Sequence, residues 1–257
     1  MCRVLGFRGK NPIALREEIL EYPNSILHQS VCDRDVCQPN DDGWGYGYIR
    51  DNLFSVVKEA TAPRQDAKFR DLALQKFDHV LLHIRRASVG QAMKENTHPF
   101  QWKDDLIFAH NGSIYGFDKI RDEAVQRLSP ELRSCIQGQT DSEYAMVLFI
   151  HNLLKSDTLD SRDLSSFQMA LSETIRTCRA LTEQSGAGKA PKLNFMLITK
   201  YFLIATKAGH SLGYYKYYRE GVLVTSEPLN VHDAWQSMEE NTMIALGPDG
   251  QLELMEV

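Results

Sequence analysis

The chain has 257 residues, 43% apolar and 25% charged, with a net charge of −5. That length and composition can bury a full core without disulfide or metal, which fits one large domain spanning 1–257. The basic residues are scattered, with Arg85-Arg86 standing alone as a pair, so the charge pattern excludes a footprint for nucleic acid or for an acidic membrane.

The five cysteines, Cys2, Cys32, Cys37, Cys135 and Cys178, are odd in number and irregularly spaced. This argues against a disulfide framework and for a reducing compartment. No apolar run precedes a cleavage site near the N-terminus, and Tyr144 to Leu154 is too short and too polar to span a bilayer. A soluble cytoplasmic protein is expected.

Cys2 to Phe7 reads as a short buried strand and Ala14 to Leu20 as a short helix. Residues 32 to 43 are polar and turn-rich, a loop. Trp44 to Arg50 and Leu53 to Lys58 flank Asp51-Asn52 and read as a hairpin. Asp66 to Phe77 has helical spacing with an acidic start. Val80 to Ile84 is a continuous apolar run, the pattern of a strand buried on both faces. Leu106 to Ala109 is similar and is expected to stop at His110-Asn111-Gly112. Helices follow at Phe117 to Leu128 and from Asp141 to about Leu154. Leu164, Phe167, Leu171, Ile175, Cys178 and Leu181 recur every three or four residues, which makes 163–182 an amphipathic helix ended by Ser185-Gly186-Ala187-Gly188-Lys189. Strands return at Leu193 to Thr199, Phe202 to Thr206, Leu212 to Tyr218, Val222 to Thr225, Thr242 to Leu246 and Leu252 to Met255. Strands, then helices, then strands suit one α+β domain with helices outside packed sheets.

Several residues carry chemistry beside a plainer role. Cys2 by itself is a small residue behind the initiator. With Met1 removed, however, its α-amine titrates near ~8 and can serve the thiol as its own base. Arg85 closes a buried strand, where a guanidinium can hold a carboxylate with two parallel hydrogen bonds. Asp141 opens a helix, so it is a helix N-cap, a partner for an ammonium group, or both. Asn111-Gly112 is a tight-turn dipeptide that could also aim an amide and a backbone N–H at a developing oxyanion. Ser88 lacks the Gly-x-Ser-x-Gly elbow of a serine nucleophile and is better placed to hydrogen-bond substrate or loop backbone. Gly43, Gly45 and Gly47 alternate along a strand and do not form a phosphate-binding loop. Cys32 and Cys37 have no partner pair for a zinc site.

Together these segments resemble the class II glutamine amidotransferases of the N-terminal-nucleophile hydrolase superfamily. The resemblance rests on Cys2 at the head of Cys2-Arg3-Val4-Leu5-Gly6, on Asp42-Gly43-Trp44-Gly45-Tyr46-Gly47-Tyr48, and on His83-Ile84-Arg85-Arg86-Ala87-Ser88-Val89-Gly90. It continues through Glu95-Asn96-Thr97-His98-Pro99-Phe100, Phe108-Ala109-His110-Asn111-Gly112-Ser113, Thr140-Asp141-Ser142-Glu143 and Ser226-Glu227-Pro228-Leu229, then Trp235 and Asn241. The order is the family's and nearly the whole chain is covered. The resemblance implies a four-layer αββα sandwich with two mainly antiparallel sheets. It implies Cys2 as nucleophile, Asn111 and Gly112 as oxyanion donors, and Arg85, Ser88 and Asp141 as binders of a glutamyl head. It calls for neither metal nor cofactor, and it makes His98 and His110 structural because the α-amine is the base.

Val89-Gly90 follows Ser88, where sugar-aminating synthases usually carry a histidine just after the Thr or Ser. Asn96 to Phe100 and Ser226 to Leu229 look like a stand-alone branch that includes the ergothioneine-pathway amidohydrolase and the glutathione-degrading amidase subunit. The expected activity is hydrolysis of a small-molecule γ-glutamyl amide. The alternatives are a glutaminase subunit feeding ammonia to a partner synthase, and a catalytically silent scaffold for a partner, against which the intact Cys2, Arg85, Asn111, Gly112 and Asp141 speak.

Overall fold

The side chains of the first strand face two different cores, and that division builds the fold. In the computed structural model, which describes residues 2–32, 37–155, 162–218, 221–229 and 235–257, strand β1 (Arg3–Ala14) sends Leu5 and Phe7 to one core and Val4 to another. Successive strand residues point to opposite faces, so a strand apolar on both faces must lie between two layers. β4 (Lys76–Ile84) does the same, with Val80, Leu82 and Ile84 on the first side and Leu81 on the second.

Around these strands the described residues form two antiparallel sheets. The first adds the hairpin β2 (Trp44–Arg50) and β3 (Leu53–Glu59), then β9 (Gly213–Tyr218), β10 (Gly221–Thr225) and β11 (Trp235–Ser237). Its order is β11-β9-β10-β1-β4-β2-β3. The second holds β5 (Phe100–Trp102), β6 (Leu106–Ser113), β7 (Lys192–Ile198), β8 (Leu203–Lys207), β12 (Thr242–Leu246) and β13 (Leu252–Glu256), ordered β13-β12-β8-β7-β6-β5. Ile107, Ala109, Met196 and Ala205 meet Val4, Leu81 and Val224 between the sheets.

Helices cover both outer faces. A π-helical turn (Glu17–Glu21), α1 (Ile26–Val31) and α2 (Ala67–Ala73) bury Ile19, Ile26 and Phe69 on the first sheet. On the second sheet lie α3 (Phe117–Gln126), α4 (Pro130–Arg133), α5 (Asp141–Leu153) and α6 (Leu164–Gln184). Of the residues of α6 expected to form its apolar face, Phe167, Leu171, Ile175, Cys178 and Leu181 are buried and Leu164 is half-buried at the helix start. This is the four-layer αββα sandwich with two antiparallel sheets.

The hairpin turn is where expected, with Asp51 at φ 51° and Asn52 at φ 63°, the left-handed pair that matches strand twist. Other expectations need correction. The chain at Ala14 is still strand, because Ile13 and Ala14 pair with Phe77 and Lys76 beyond a register shift. Asn111-Gly112 is not a turn. β6 runs through it to Ser113, with Asn111 opposite Asn194 and Gly112 opposite Leu193. Asp141 is not the cap of α5, since Thr140 accepts the Glu143 N–H at 3.2 Å and Asp141 is the first helical residue. Cys32 and Cys37 are joined in a disulfide, with Cα atoms 4.1 Å apart. The Asn40 N–H bonds the Ser30 carbonyl at 2.7 Å and folds the chain back beside α1, a closure that cysteine counting does not reveal. Residues 33–36 of the expected loop lie outside the described residues.

Gly45 and Gly47 face the second sheet. A Cβ on Gly45 would sit 2.3 Å from the His98 carbonyl oxygen, and one on Gly47 would sit 2.5 Å from the Ile107 Cγ2. Both glycines are therefore spacers that let β2 approach β5 and β6. Gly47→Ala is expected to lose about 1–3 kcal/mol of stability by overpacking, as read from chemical denaturation.

Candidate active site

Register brings the proposed residues to one end of the sandwich. Arg3 pairs with Ile84, so Cys2 lies beside Arg85 and Arg86. The Cys2 Sγ accepts the Arg86 N–H at 3.2 Å and lies 3.4 Å from the Arg86 carbonyl. Cys2 shares its strand face with Val4, which points between the sheets. Asn111 shares its face with Ile107 and Ala109, which point there too. Cys2, Arg85, Ser88, Gly112 and Asp141 line one small cavity, with His98 and His110 in its wall. Asn111 lies next to the lining strand residue rather than in the lining itself. Its Oδ1 is buried and has no hydrogen-bond partner among the described residues, so that oxygen is not tied into the fold.

Arg85 is buried and held by its own loop. Its Nη1 donates to the Gln91 carbonyl at 2.9 Å and its Nη2 to the Val89 carbonyl at 2.8 Å. Its backbone is fixed too, because its N–H reaches the Gly43 carbonyl at 2.7 Å. Burial lowers its pKa, opposed by the charges of Cys2, Asp42 and Asp141. Asp141 sits in the first turn of α5, where the helix dipole favours a carboxylate, and its Oδ2 accepts the Ile114 N–H at 2.6 Å. The exposed Ser88 hydroxyl meets the Ser113 hydroxyl at 3.2 Å, and Ser113 in turn donates to the Gly112 carbonyl at 2.7 Å. Gly112 admits no side chain, because a Cβ would lie 1.8 Å from the Lys192 carbonyl oxygen.

Two residues were given no role from sequence. Asp42 accepts the Ala87 N–H at 2.8 Å and so shapes the turn after Arg85-Arg86. Ser113 joins Ser88 to the β6 strand. Their only sequence signal was membership of the quoted motifs.

Burial pushes the Cys2 thiol up, against the lowering pull of the Arg86 N–H and of the Arg85 and Arg3 charges. The thiol therefore needs a base to react at neutral pH. Among the described residues, no histidine is bonded to it. The His110 Nε2–H donates to the Lys192 carbonyl at 2.8 Å, and its Nδ1 accepts from the Ser142 hydroxyl at 2.9 Å, which staples α5 to the second sheet. His98 packs against His83 with ring centroids 4.3 Å apart and the rings tilted by 37°, and neither ring has a hydrogen-bond partner among the described residues. Among the described residues, no cluster of three His, Cys, Asp or Glu is arranged to hold a metal ion. None of the described helices is long and apolar enough to cross a membrane.

The buried histidines predict an acid limb of stability. Burial drives His83 down to about 3, helped by Arg85 and His110, and lowers His98 and His110 as well. The unfolded imidazole titrates near ~6.5, so below that pH the unfolded state binds more protons and stability falls toward the folded pKa. Each such histidine contributes a slope of up to about 1.4 kcal/mol per pH unit. Denaturation midpoints measured from pH 7 to 5 are expected to drop, and His83→Gln should flatten the decline.

Comparison with known proteins bears on the family and the fold. Residues 17–196 match the family described as "Glutamine amidotransferases class-II", a span that begins after Cys2. The chain is similar to the Saccharomyces cerevisiae protein named "Probable glutamine amidotransferase DUG3", 28% identical over 292 residues, covering 96% of this chain and 82% of that one. A glutamine aminotransferase class-II domain protein from Silicibacter pomeroyi superposes with a TM-score of 0.72 at 22% identity, over 99% of both chains. The glutamine phosphoribosylpyrophosphate amidotransferase from B. subtilis gives a TM-score of 0.67 at 15% identity, covering 99% of this chain and 49% of that one. At those identities the two structures speak for the fold.

Proposed function

The chain belongs to the class II glutamine amidotransferases, and from that premise we propose that it hydrolyses a γ-glutamyl amide through a thioester on Cys2, releasing glutamate. The observation that carries the reading is the meeting of Cys2, Arg85 and Asp141 around one small cavity. A nucleophile, a cation and an anion there are what a free amino-acid head and its distal amide require. Arg85 takes the α-carboxylate and Asp141 the α-ammonium. Ser88 supports the head from the exposed rim. The exposed Ser88 and Gly90 lie at the rim from which substrate enters.

The Cys2 sulfur attacks the δ-carbonyl carbon while the Cys2 α-amine takes the thiol proton. The Asn111 amide and the Gly112 N–H donate to the oxyanion, a contribution of roughly 3 kcal/mol per donor. The amine passes its proton to the leaving nitrogen, the C–N bond breaks and a thioester remains. Water then attacks the thioester, giving its proton to the amine, and glutamate leaves as the thiol is restored. The scheme requires the active chain to begin at Cys2, because an amine acylated by Met1 is no base; Met1 itself lies outside the described residues.

A panel of γ-glutamyl amides, glutamine included, assayed for released glutamate tests the reading. Turnover of at least one member, lost in Cys2→Ala, is the expected result. No turnover by a chain shown to begin at Cys2 would count for a silent scaffold.

A further inference from the structure

The segment Glu95-Asn96-Thr97 has no part in the scheme above, yet Asn96 is fully buried between the two loops that carry the head-binding residues. Its Nδ2 donates to the Gln91 carbonyl at 3.0 Å, the same carbonyl that receives Arg85 Nη1 at 2.9 Å. Its Oδ1 accepts the Gln139 N–H at 2.8 Å, two residues before Asp141. One carboxamide therefore bridges the seat of the buried cation and the approach to the buried anion.

The surroundings leave that carboxamide little freedom. A Cβ on Gly90 would lie 2.8 Å from Asn96 Nδ2, and one on Gly138 would lie 2.5 Å from Asn96 Oδ1. Glu143 pins the same loop from the helix side, accepting the Gln137 and Gly138 N–H groups at 2.8 and 2.6 Å. Below, the Lys58 Nζ donates to the Thr97 carbonyl at 2.9 Å and fixes the base of the segment. A donor and an acceptor on one short rigid group set the spacing of the two loops more tightly than apolar packing would.

We propose that Asn96 is a positioning residue that sets the separation of Arg85 and Asp141, and so selects a substrate with carboxylate and ammonium on one carbon. This rests on the reading of those two residues as the glutamyl clamp. Asn96 touches no reacting atom; it acts through Gln91 and Gln139. Asn96→Asp keeps the shape and the acceptor for Gln139 but replaces the donor to Gln91 with an oxygen facing an oxygen. Gly138→Ala crowds the other end without removing the carboxamide.

The test compares two electrophiles at Cys2, with peptide mass spectrometry locating the adduct. 6-Diazo-5-oxo-L-norleucine carries the amino-acid head of glutamine, and iodoacetamide does not. In the parent chain the diazo ketone should show a head-dependent preference that is abolished by excess glutamate. In Asn96→Asp that preference should fall about tenfold or more, with the iodoacetamide rate within about threefold of the parent's. KM for a turned-over γ-glutamyl amide should rise about tenfold while kcat changes far less. Gly138→Ala should shift both readouts in the same direction. Rates that fall together for both reagents, or an unchanged preference in both variants, would overturn the proposal. No preference in the parent would instead remove the clamp reading beneath it. A cooperative thermal unfolding transition, measured for each variant, shows that it has folded.

Discussion

Replacing Cys2 with alanine is expected to lower γ-glutamyl amide turnover by about a thousandfold or more, because among the described lining residues Cys2 supplies the thiol and the hydroxyls are tied into the fold. Of those hydroxyls, Ser88 is bonded to Ser113, Thr140 caps α5, and Ser142 is buried and bonded to His110, whose other ring nitrogen is committed to the Lys192 carbonyl. Binding of glutamate should survive in Cys2→Ala, since Arg85 and Asp141 are untouched. The pH profile follows from the same residue. Burial raises the thiol pKa, and the α-amine must be neutral to take its proton. Turnover is therefore expected to rise from pH 6 toward the amine pKa near ~8, with the protonated amine as the inactive form. A falling rate over that interval would argue for a base already active in acid.

Asp141→Asn is expected to raise KM by roughly 30-fold or more, corresponding to about 2 kcal/mol or more for a buried charge pair left half made. The substitution is informative because it spares the fold. An asparagine oxygen can still accept the Ile114 N–H that now lies 2.6 Å from Oδ2, and Thr140 rather than residue 141 caps α5. The lost quantity is the charge. Arg85→Lys is expected to act similarly, for a different reason. A lysine ammonium keeps the charge but cannot reach the Val89 and Gln91 carbonyls and also present a planar pair of donors. Titration of glutamate binding measures both, with thermal unfolding as the control for fold.

What the sequence disclosed depends on how local the cause was. Val80 to Ile84, the hairpin about Asp51-Asn52 and the α6 face of Phe167, Leu171 and Ile175 are set by periodicity or turn chemistry within a few residues, and all appear as expected. Asn111-Gly112 misled because the dipeptide favours a turn in isolation. Pairing with β7, some eighty residues later, holds it extended. The three-residue strands β5 and β11 carry too short a pattern to recognise and exist because a neighbouring strand offers an edge. The Cys32–Cys37 disulfide depends on a chain reversal set by Ser30 and Asn40, not on cysteine number.

The site followed the same division. Cys2, Arg85, Ser88, Gly112 and Asp141 were named from motifs and do meet at one cavity, with Asn111 beside it. Their supports were not legible. Asp42 on the Ala87 N–H, Asn96 between Gln91 and Gln139, and His110 between Ser142 and Lys192 join segments that only the folded chain brings together. The glycines at 45 and 47 alternate along a strand in the sequence, and the packed structure shows why, since a Cβ on either would meet the layer opposite.

The central claim is that a Cys2 with a free α-amine carries the glutamyl group during turnover. Acid quenching during hydrolysis of a slow γ-glutamyl anilide, followed by intact-mass and peptide mapping, measures this directly. The expected species is a chain that begins at Cys2 and bears one glutamyl group on that residue, absent from Cys2→Ala. A glutamyl group on any other residue, or full turnover by a chain that retains Met1, would contradict it.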